Sequence, residues 1–184
     1  MNIAIFGGSF DPPHIGHQEI ISKSLEKLDI DKLIVVPTFL NPFKTQSYFT
    51  ASSRFKLLEE LFKDNQKILV SDYETKQNKA IQSIYTVKYF KKKYNPKKIF
   101  FIIGSDNLKS LHLWNNFEEL KELVQFVVIS RSGYDVKYDI IKTININLDI
   151  NISSTKLRKN LDLKYIPKKI EKKVINLWNK EFKK

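Results

Sequence analysis

The sequence contains no cysteine, one methionine, five glycines and three histidines in 184 residues. Without cysteine, disulfides, thiolate metal sites and cysteine nucleophiles are excluded. Long apolar runs are also missing. The stretch from Ile99 to Ile103 is among the longest, far short of the roughly 20 residues that a membrane-spanning helix needs. No basic segment leads an apolar stretch at the N-terminus, so no secretory signal is expected. These absences leave a soluble cytoplasmic protein as the default, with no membrane partner. A hydrophobic share of 42% argues against disorder, and the length suits one domain over 1–184, with no room for a second core.

The scarce residues are unevenly placed. Of 32 basic side chains only Arg54, Arg131 and Arg158 are arginine. The glycines stand at 7, 8, 16, 104 and 133, and the histidines at 14, 17 and 112. Three of the five glycines and two of the three histidines thus lie between Gly7 and His17. Rare types gathered in so short a segment mark a candidate site. The net charge of +12 is less pointed, because residues 156–184 carry eleven Lys/Arg against three Asp/Glu. That tail reads more simply as a solvated lysine-rich helix face than as a nucleic-acid patch.

Hydrophobic patterning predicts alternating strands and helices. Asn2 to Phe6 is a short apolar run stopped by Gly7-Gly8, Ile15 to Leu28 has helical spacing, and Leu33 to Val36 is a strand closed by Pro37. Strand, helix, strand in so few residues is a βαβ unit, with parallel pairing. The pattern continues with a loop over 38–50, a helix over 51–62, a short strand over 68–70, a polar loop from 71, and a helix from Ile84 to Tyr94. Ile99 to Ile103 is apolar at every position, as expected of a strand covered on both faces. A helix is expected over 107–123, interrupted near Trp114, and then a buried strand over 126–129. Residues 143–152 alternate apolar with polar, which predicts a strand with one wet face near a sheet edge. Ser153 would cap a short helix, and Pro167 would open a last one, making 154–184 a C-terminal helical subregion. The sum is an α/β, Rossmann-like three-layer fold with a mainly parallel central sheet.

In such folds ligands bind beyond the carboxyl ends of the strands. After the first strand the chain reads Gly7-Gly8-Ser9-Phe10-Asp11-Pro12-Pro13-His14-Ile15-Gly16-His17. A glycine pair lets backbone turn sharply against a ligand, and the following helix start suits phosphate. His14 and His17, three apart, lie on neighbouring sides of one turn. Two imidazoles over such a backbone suit charge on a phosphoryl group. A second anion site is suggested by Ser153, Ser154 and Thr155 with Arg158 one turn further on. Arginine in a chain this rich in lysine points to a need for its planar fork of donors.

The first run matches G-G-[ST]-F-D-P-x-H-x-G-H, and the chain thereby resembles the HxGH nucleotidyltransferases; Ile152 to Arg158 resembles their I-S-S-T-x-x-R element. Pro42-Phe43-Lys44 followed by Arg54, Tyr85-Thr86, the stretch Gly104-Ser105-Asp106-Asn107-Leu108 with Trp114, and Arg131-Ser132-Gly133-Tyr134 resemble the branch that adenylylates nicotinate mononucleotide. Two positions depart from that branch: Phe43 replaces a common histidine, and Ile84 a common serine.

The resemblance implies ATP and nicotinate mononucleotide as partners, Mg²⁺ arriving with ATP, no dedicated protein metal site, no nucleic acid, and is compatible with a homodimer. It implies catalytic roles for His14, His17, Lys44 and Arg158. ATP would meet Gly7, Gly8, Ser9 and Phe10 with the two histidines, then Gly104 and Asp106, then Ser153, Ser154, Thr155 and Arg158. Nicotinate mononucleotide would meet Lys44, Tyr85, Thr86, Asp106, Trp114 and Arg131. Chemically, Trp114 would stack on the pyridine, and Thr86 would donate to the nicotinate carboxylate, which only accepts hydrogen bonds. The alternatives are another HxGH transferase, with nicotinamide mononucleotide or pantetheine phosphate as acceptor, and more remotely a basic nucleic-acid-binding module.

Overall fold

A computed structural model describes residues 1–40, 46–131, 141–148, 152, 154–159 and 161–182. Among these residues six strands, β1 (Asn2–Gly8), β2 (Lys32–Pro37), β3 (Ile68–Val70), β4 (Lys98–Gly104), β5 (Gln125–Arg131) and β6 (Thr143–Leu148), form one sheet in the order β3-β2-β1-β4-β5-β6. All five pairings are parallel. The register aligns Gly8 with Pro37 and Gly104 with Ile129, so the glycines that end β1 and β4 emerge on one rim.

Among the described residues six α-helices accompany the sheet: α1 (Ile15–Lys27), α2 (Ala51–Phe62), α3 (Ser83–Tyr94), α4 (Phe117–Leu123), α5 (Ser154–Lys159) and α6 (Glu171–Phe182). Side chains of a strand alternate between faces, and here both faces are covered. Ala4, Phe6, Leu33, Val35, Phe100 and Ile102 join a core with Ile21 of α1, Leu58 of α2 and Val174 of α6. Ile3, Ile5, Ile34, Val36, Phe101 and Ile103 join a second core with Val87 and Phe90 of α3 and Leu120 of α4. The three layers follow directly, and they explain why β4 is apolar without interruption. β6 lies at the edge, as its alternation predicts: Asn145 and Asn147 are exposed while Ile146 and Leu148 are buried.

Two boundaries differ from expectation. The helix expected over 107–123 is interrupted at Trp114 as expected, but its first part starts at Ser105 and is a 3-10 segment, Ser105–Leu113, ahead of α4. Between them Asn116 takes a left-handed φ of 52°, and Trp114, in extended backbone, leaves the helical path to pack edge-on against Phe101. Of the strand expected over 143–152, residues 143–148 form β6 and 149–151 lie outside the described residues, while Ile152 lies against α1 at Gly16. Pro167 opens hydrogen-bonded turns through Ile170 and Glu171 before α6 begins.

The lysine-rich tail has a structural use. Lys169 and Lys173 pair with Asp64 and Glu60 at 2.6 and 2.9 Å, while Ile170 and Val174 of this segment are fully buried. It docks against α2, with Trp178 edge-on to Phe49. No helix among the described residues is long and apolar enough to cross a membrane.

Candidate active site

Strand order reverses between β1 and β4, which opens a crevice at their carboxyl ends. The loop after β1 fills it. Phe10 has φ of 47°, a left-handed backbone that non-glycine residues rarely adopt. Packing holds it there: its ring is 1% exposed, edge-on to Phe6 and 4.8 Å from the His17 ring. Gly8 leaves room beneath it: a Cβ there would come within 3.2 Å of the Phe10 ring, tighter than side chains ordinarily pack.

His14 precedes α1 and His17 sits in its first turn. Their rings stack with centroids 3.7 Å apart and planes 24° apart. The His14 backbone N–H donates to His17 Nδ1 at 3.1 Å. That bond makes Nδ1 an acceptor, so the proton of a neutral His17 sits on Nε2, a donor. Gly16 permits the stack. A Cβ at this position would lie 3.1 Å from two atoms of the His14 ring and 2.9 Å from Ile152 Cγ2.

The second phosphate-type segment meets this loop from more than 140 residues away in sequence. Arg158 donates to the Asp11 carbonyl at 2.7 Å and to Thr155 Oγ1 at 3.2 Å, with its guanidinium 4.5 Å from the Tyr48 ring centroid. Ser154 donates to the Pro12 carbonyl at 3.4 Å. Asp11, 2% exposed, accepts the Tyr48 and Phe49 N–H groups at 2.8 Å each. Arg54 completes the frame. It is fully buried and donates to the carbonyls of Ser9, Phe39 and Phe49 at 2.6, 2.8 and 3.1 Å. Burial pulls its pKa down, and the Asp11 carboxylate opposes that.

On the α3 side a cleft of about 420 Å³ opens beside the loop, lined by Gly7, Gly8, Gly104, Thr86 and Trp114 among others. Small-molecule sites span about 300–1,000 Å³. Trp114 Nε1 is buried without a hydrogen-bond partner among the described residues. Thr86, 2% exposed, donates to Glu74 Oε1 at 2.6 Å. Burial raises the Glu74 pKa to about 7, with the Thr86 hydrogen bond working against the rise.

The structure therefore gathers Gly7, Gly8, Ser9, Phe10, His14, His17, Ser154, Thr155 and Arg158 around one loop, and places Gly104, Thr86 and Trp114 along the adjoining cleft. Asp106 is exposed, and a Cβ on Gly104 would run into its carboxylate. Tyr85 is 51% exposed, and its side chain stands outside the cleft lining. Lys44 and Ser153 lie outside the described residues, as do Phe43, Ser132, Gly133 and the side chain of Arg131. Asp11, Glu74, Tyr48 and the buried fork of Arg54 were not nominated from sequence. Asp11 carried a signal, as the one acid in the glycine–histidine segment. Glu74 carried none, lying in a polar stretch with other charges.

A crevice that offers turned backbone, paired imidazoles and a guanidinium beside a nucleotide-sized cleft suits the transfer of one phosphoryl group onto another, and with this parallel sheet it defines a nucleotidyltransferase. The cytidylyltransferase-like family profile matches residues 5–160. A probable nicotinate-nucleotide adenylyltransferase of Aliarcobacter butzleri is 51% identical over 96% of this chain and 97% of its own length. One from Sulfurimonas denitrificans is 47% identical, covering 97% and 96%. The Plasmodium falciparum nicotinic acid mononucleotide adenylyltransferase complexed with NaAD superposes with a TM-score of 0.78 at 25% identity, covering 97% and 96%. The chain belongs to the cytidylyltransferase-like family and, within it, to the nicotinate-nucleotide adenylyltransferases.

Proposed function

We infer that this chain, acting as a single domain over 1–184, transfers the adenylyl group of ATP to nicotinate mononucleotide, giving nicotinate adenine dinucleotide and pyrophosphate. The observation that carries the reading is the stacked His14–His17 pair at the switch point, beside the Trp114–Thr86 cleft. A phosphate oxygen of nicotinate mononucleotide attacks the α-phosphorus of ATP. The new P–O bond forms as the bond to the β-phosphate oxygen breaks, and pyrophosphate leaves with that electron pair. The attacking phosphate is already anionic near neutral pH, since its second pKa is about 6. The chain therefore needs no general base and no covalent intermediate; its work is orientation and charge stabilisation.

His17 Nε2–H and His14 donate to oxygens of the transferring phosphoryl group. Arg158 uses donors beyond its bonds to Asp11 and Thr155 to hold the outer phosphates, together with Lys44, Ser153, Ser154 and Thr155. Gly7, Gly8, Ser9 and Phe10 shape the backbone under ATP, and Gly104 with Asp106 borders its ribose. The pyridine lies against Trp114, near Thr86 and the turn of Tyr85, with Arg131 at the far rim. A divalent cation, Mg²⁺ in this reading, travels with the ATP phosphates, which it favours along with water. Among the described residues no three His, Cys, Asp or Glu side chains gather to ligate a metal. The imidazole and guanidinium donors around the loop do not suit a hard cation, and no step here runs through it.

The deciding experiment is a panel of acceptors with ATP, following pyrophosphate release. Nicotinate mononucleotide is expected to turn over best. Turnover with pantetheine phosphate and none with nicotinate mononucleotide overturns the assignment.

A further inference from the structure

Glu74 and Thr86 form a tightly coupled polar pair in the cleft wall. Glu74 is 4% exposed, Thr86 2% exposed, and their oxygens are 2.6 Å apart. Two proton arrangements fill that geometry. An ionised carboxylate only accepts, so Thr86 must then donate to it and can show the cleft nothing but lone pairs. A neutral Glu74 carries one O–H, and since its Oε2 faces no acceptor among the described residues, that proton is best used on Oε1, donated to Thr86 Oγ1, which frees the threonine proton to point into the cleft. The direction of one hydrogen bond thus decides whether Thr86 is an acceptor or a donor towards a ligand. The two natural pyridine substituents differ in the same property: a carboxylate only accepts, whereas a carboxamide presents two N–H donors.

We propose that Glu74 is a positioning residue that selects the pyridine acid over the amide by setting, through its own protonation, the polarity of the Thr86 hydroxyl. The proposal rests on the pyridine of the mononucleotide occupying the cleft beside Thr86. Acid is favoured while Glu74 is neutral, and the preference fades as it ionises.

The surroundings suit such a device. Glu74 Oε2 is buried without a hydrogen-bond partner among the described residues, so nothing there anchors a permanent charge. From α3 the facing groups are Thr86 and Tyr89, the latter stacked at 4.0 Å on the phenol of Tyr73 beside Glu74. Asp72 and Lys76, its charged neighbours along the chain, pair with each other at 2.7 Å. α2 packs against the same turn, but its buried cation, Arg54, is committed to Ser9, Phe39 and Phe49. Across the cleft Asp106 is exposed. Burial is thus the main influence on Glu74, and it places the titration near pH 7.

The test is the ratio of kcat/KM for nicotinate mononucleotide to that for nicotinamide mononucleotide, with ATP, from about pH 6 to about pH 8.5. Both acceptors carry the same phosphate, so titration of phosphate, ATP and the histidines cancels in the ratio. In the wild-type enzyme the ratio falls by about tenfold or more over that range, as a single ionisation near 7 requires. In Glu74→Gln, whose amide does not ionise, the ratio is flat with pH. Turnover of nicotinate mononucleotide with a pH-independent wild-type ratio overturns this proposal and leaves the proposed reaction standing. No turnover of nicotinate mononucleotide at any pH overturns both. A pH dependence that persists unchanged in Glu74→Gln overturns the proposal as well, and if that variant does not fold, Glu74→Ala makes the same comparison.

Discussion

Replacing Arg54 by lysine keeps a positive charge at the centre of the frame but removes its fork. The guanidinium reaches three carbonyls on three separate segments: Ser9 in the loop after β1, Phe39 after β2, and Phe49 ahead of α2. A lysine ammonium is a point donor on an unbranched stem and can serve one of these directions well. Two hydrogen bonds from a charged donor are then lost, at about 1.5–3 kcal/mol each. The sum is about 3–6 kcal/mol, a large share of the 5–15 kcal/mol typical of a folded domain. Urea unfolding of wild type and Arg54→Lys, followed by circular dichroism, measures it. The loop that carries the histidines hangs from the same fork through Ser9, so kcat falls as well, even at temperatures where the variant remains folded. A loss of stability below about 1 kcal/mol, with normal kcat, would refute the view that Arg54 is the keystone between these loops.

Other consequences are as direct. Gly16→Ala places a methyl 3.1 Å from the His14 ring and 2.9 Å from Ile152; the gain in helix propensity, about 1 kcal/mol, offsets only part of an overpacking cost of about 1–3 kcal/mol, so kcat should drop at least tenfold while the melting temperature falls by no more than about 8 °C. Glu74 binds its proton more tightly folded than unfolded, so its stabilisation is complete below pH 4.5 and lost as pH rises through about 7. That swing is worth about 3 kcal/mol, and calorimetry should find it in wild type between acid and neutral pH and absent from Glu74→Gln. Lys173→Ala breaks an ion pair whose lysine side chain is 57% exposed, and chemical unfolding should register less than about 1 kcal/mol.

Much of this was readable from residue order, and the exceptions have physical causes. β4 announces burial on both faces through five consecutive apolar residues, and β6 announces its edge position through alternating asparagines. The loop from Gly7 to His17 was legible because several scarce residue types crowd into one turn. The burial of Arg54 left no trace in the residue order: its neighbour Phe55 is half-buried while Arg54 is fully buried. Its partners are backbone carbonyls, which leave no mark on a sequence. Glu74 was missed for a related reason: whether a carboxyl is buried depends on how the 71–83 segment folds over α3. Thr86 was found, but its bond to Glu74 joins residues twelve apart across a loop that no periodicity describes.

The central claim, that the stacked histidines serve adenylyl transfer to nicotinate mononucleotide, is tested most directly by single-turnover formation of nicotinate adenine dinucleotide from ATP in wild type and His17→Ala. One lost donor at a developing phosphoryl charge costs about 3 kcal/mol, roughly a hundredfold in rate. The account predicts a loss of that order or greater, with circular dichroism and melting close to wild type. Dinucleotide formed by the variant at the wild-type rate would contradict it.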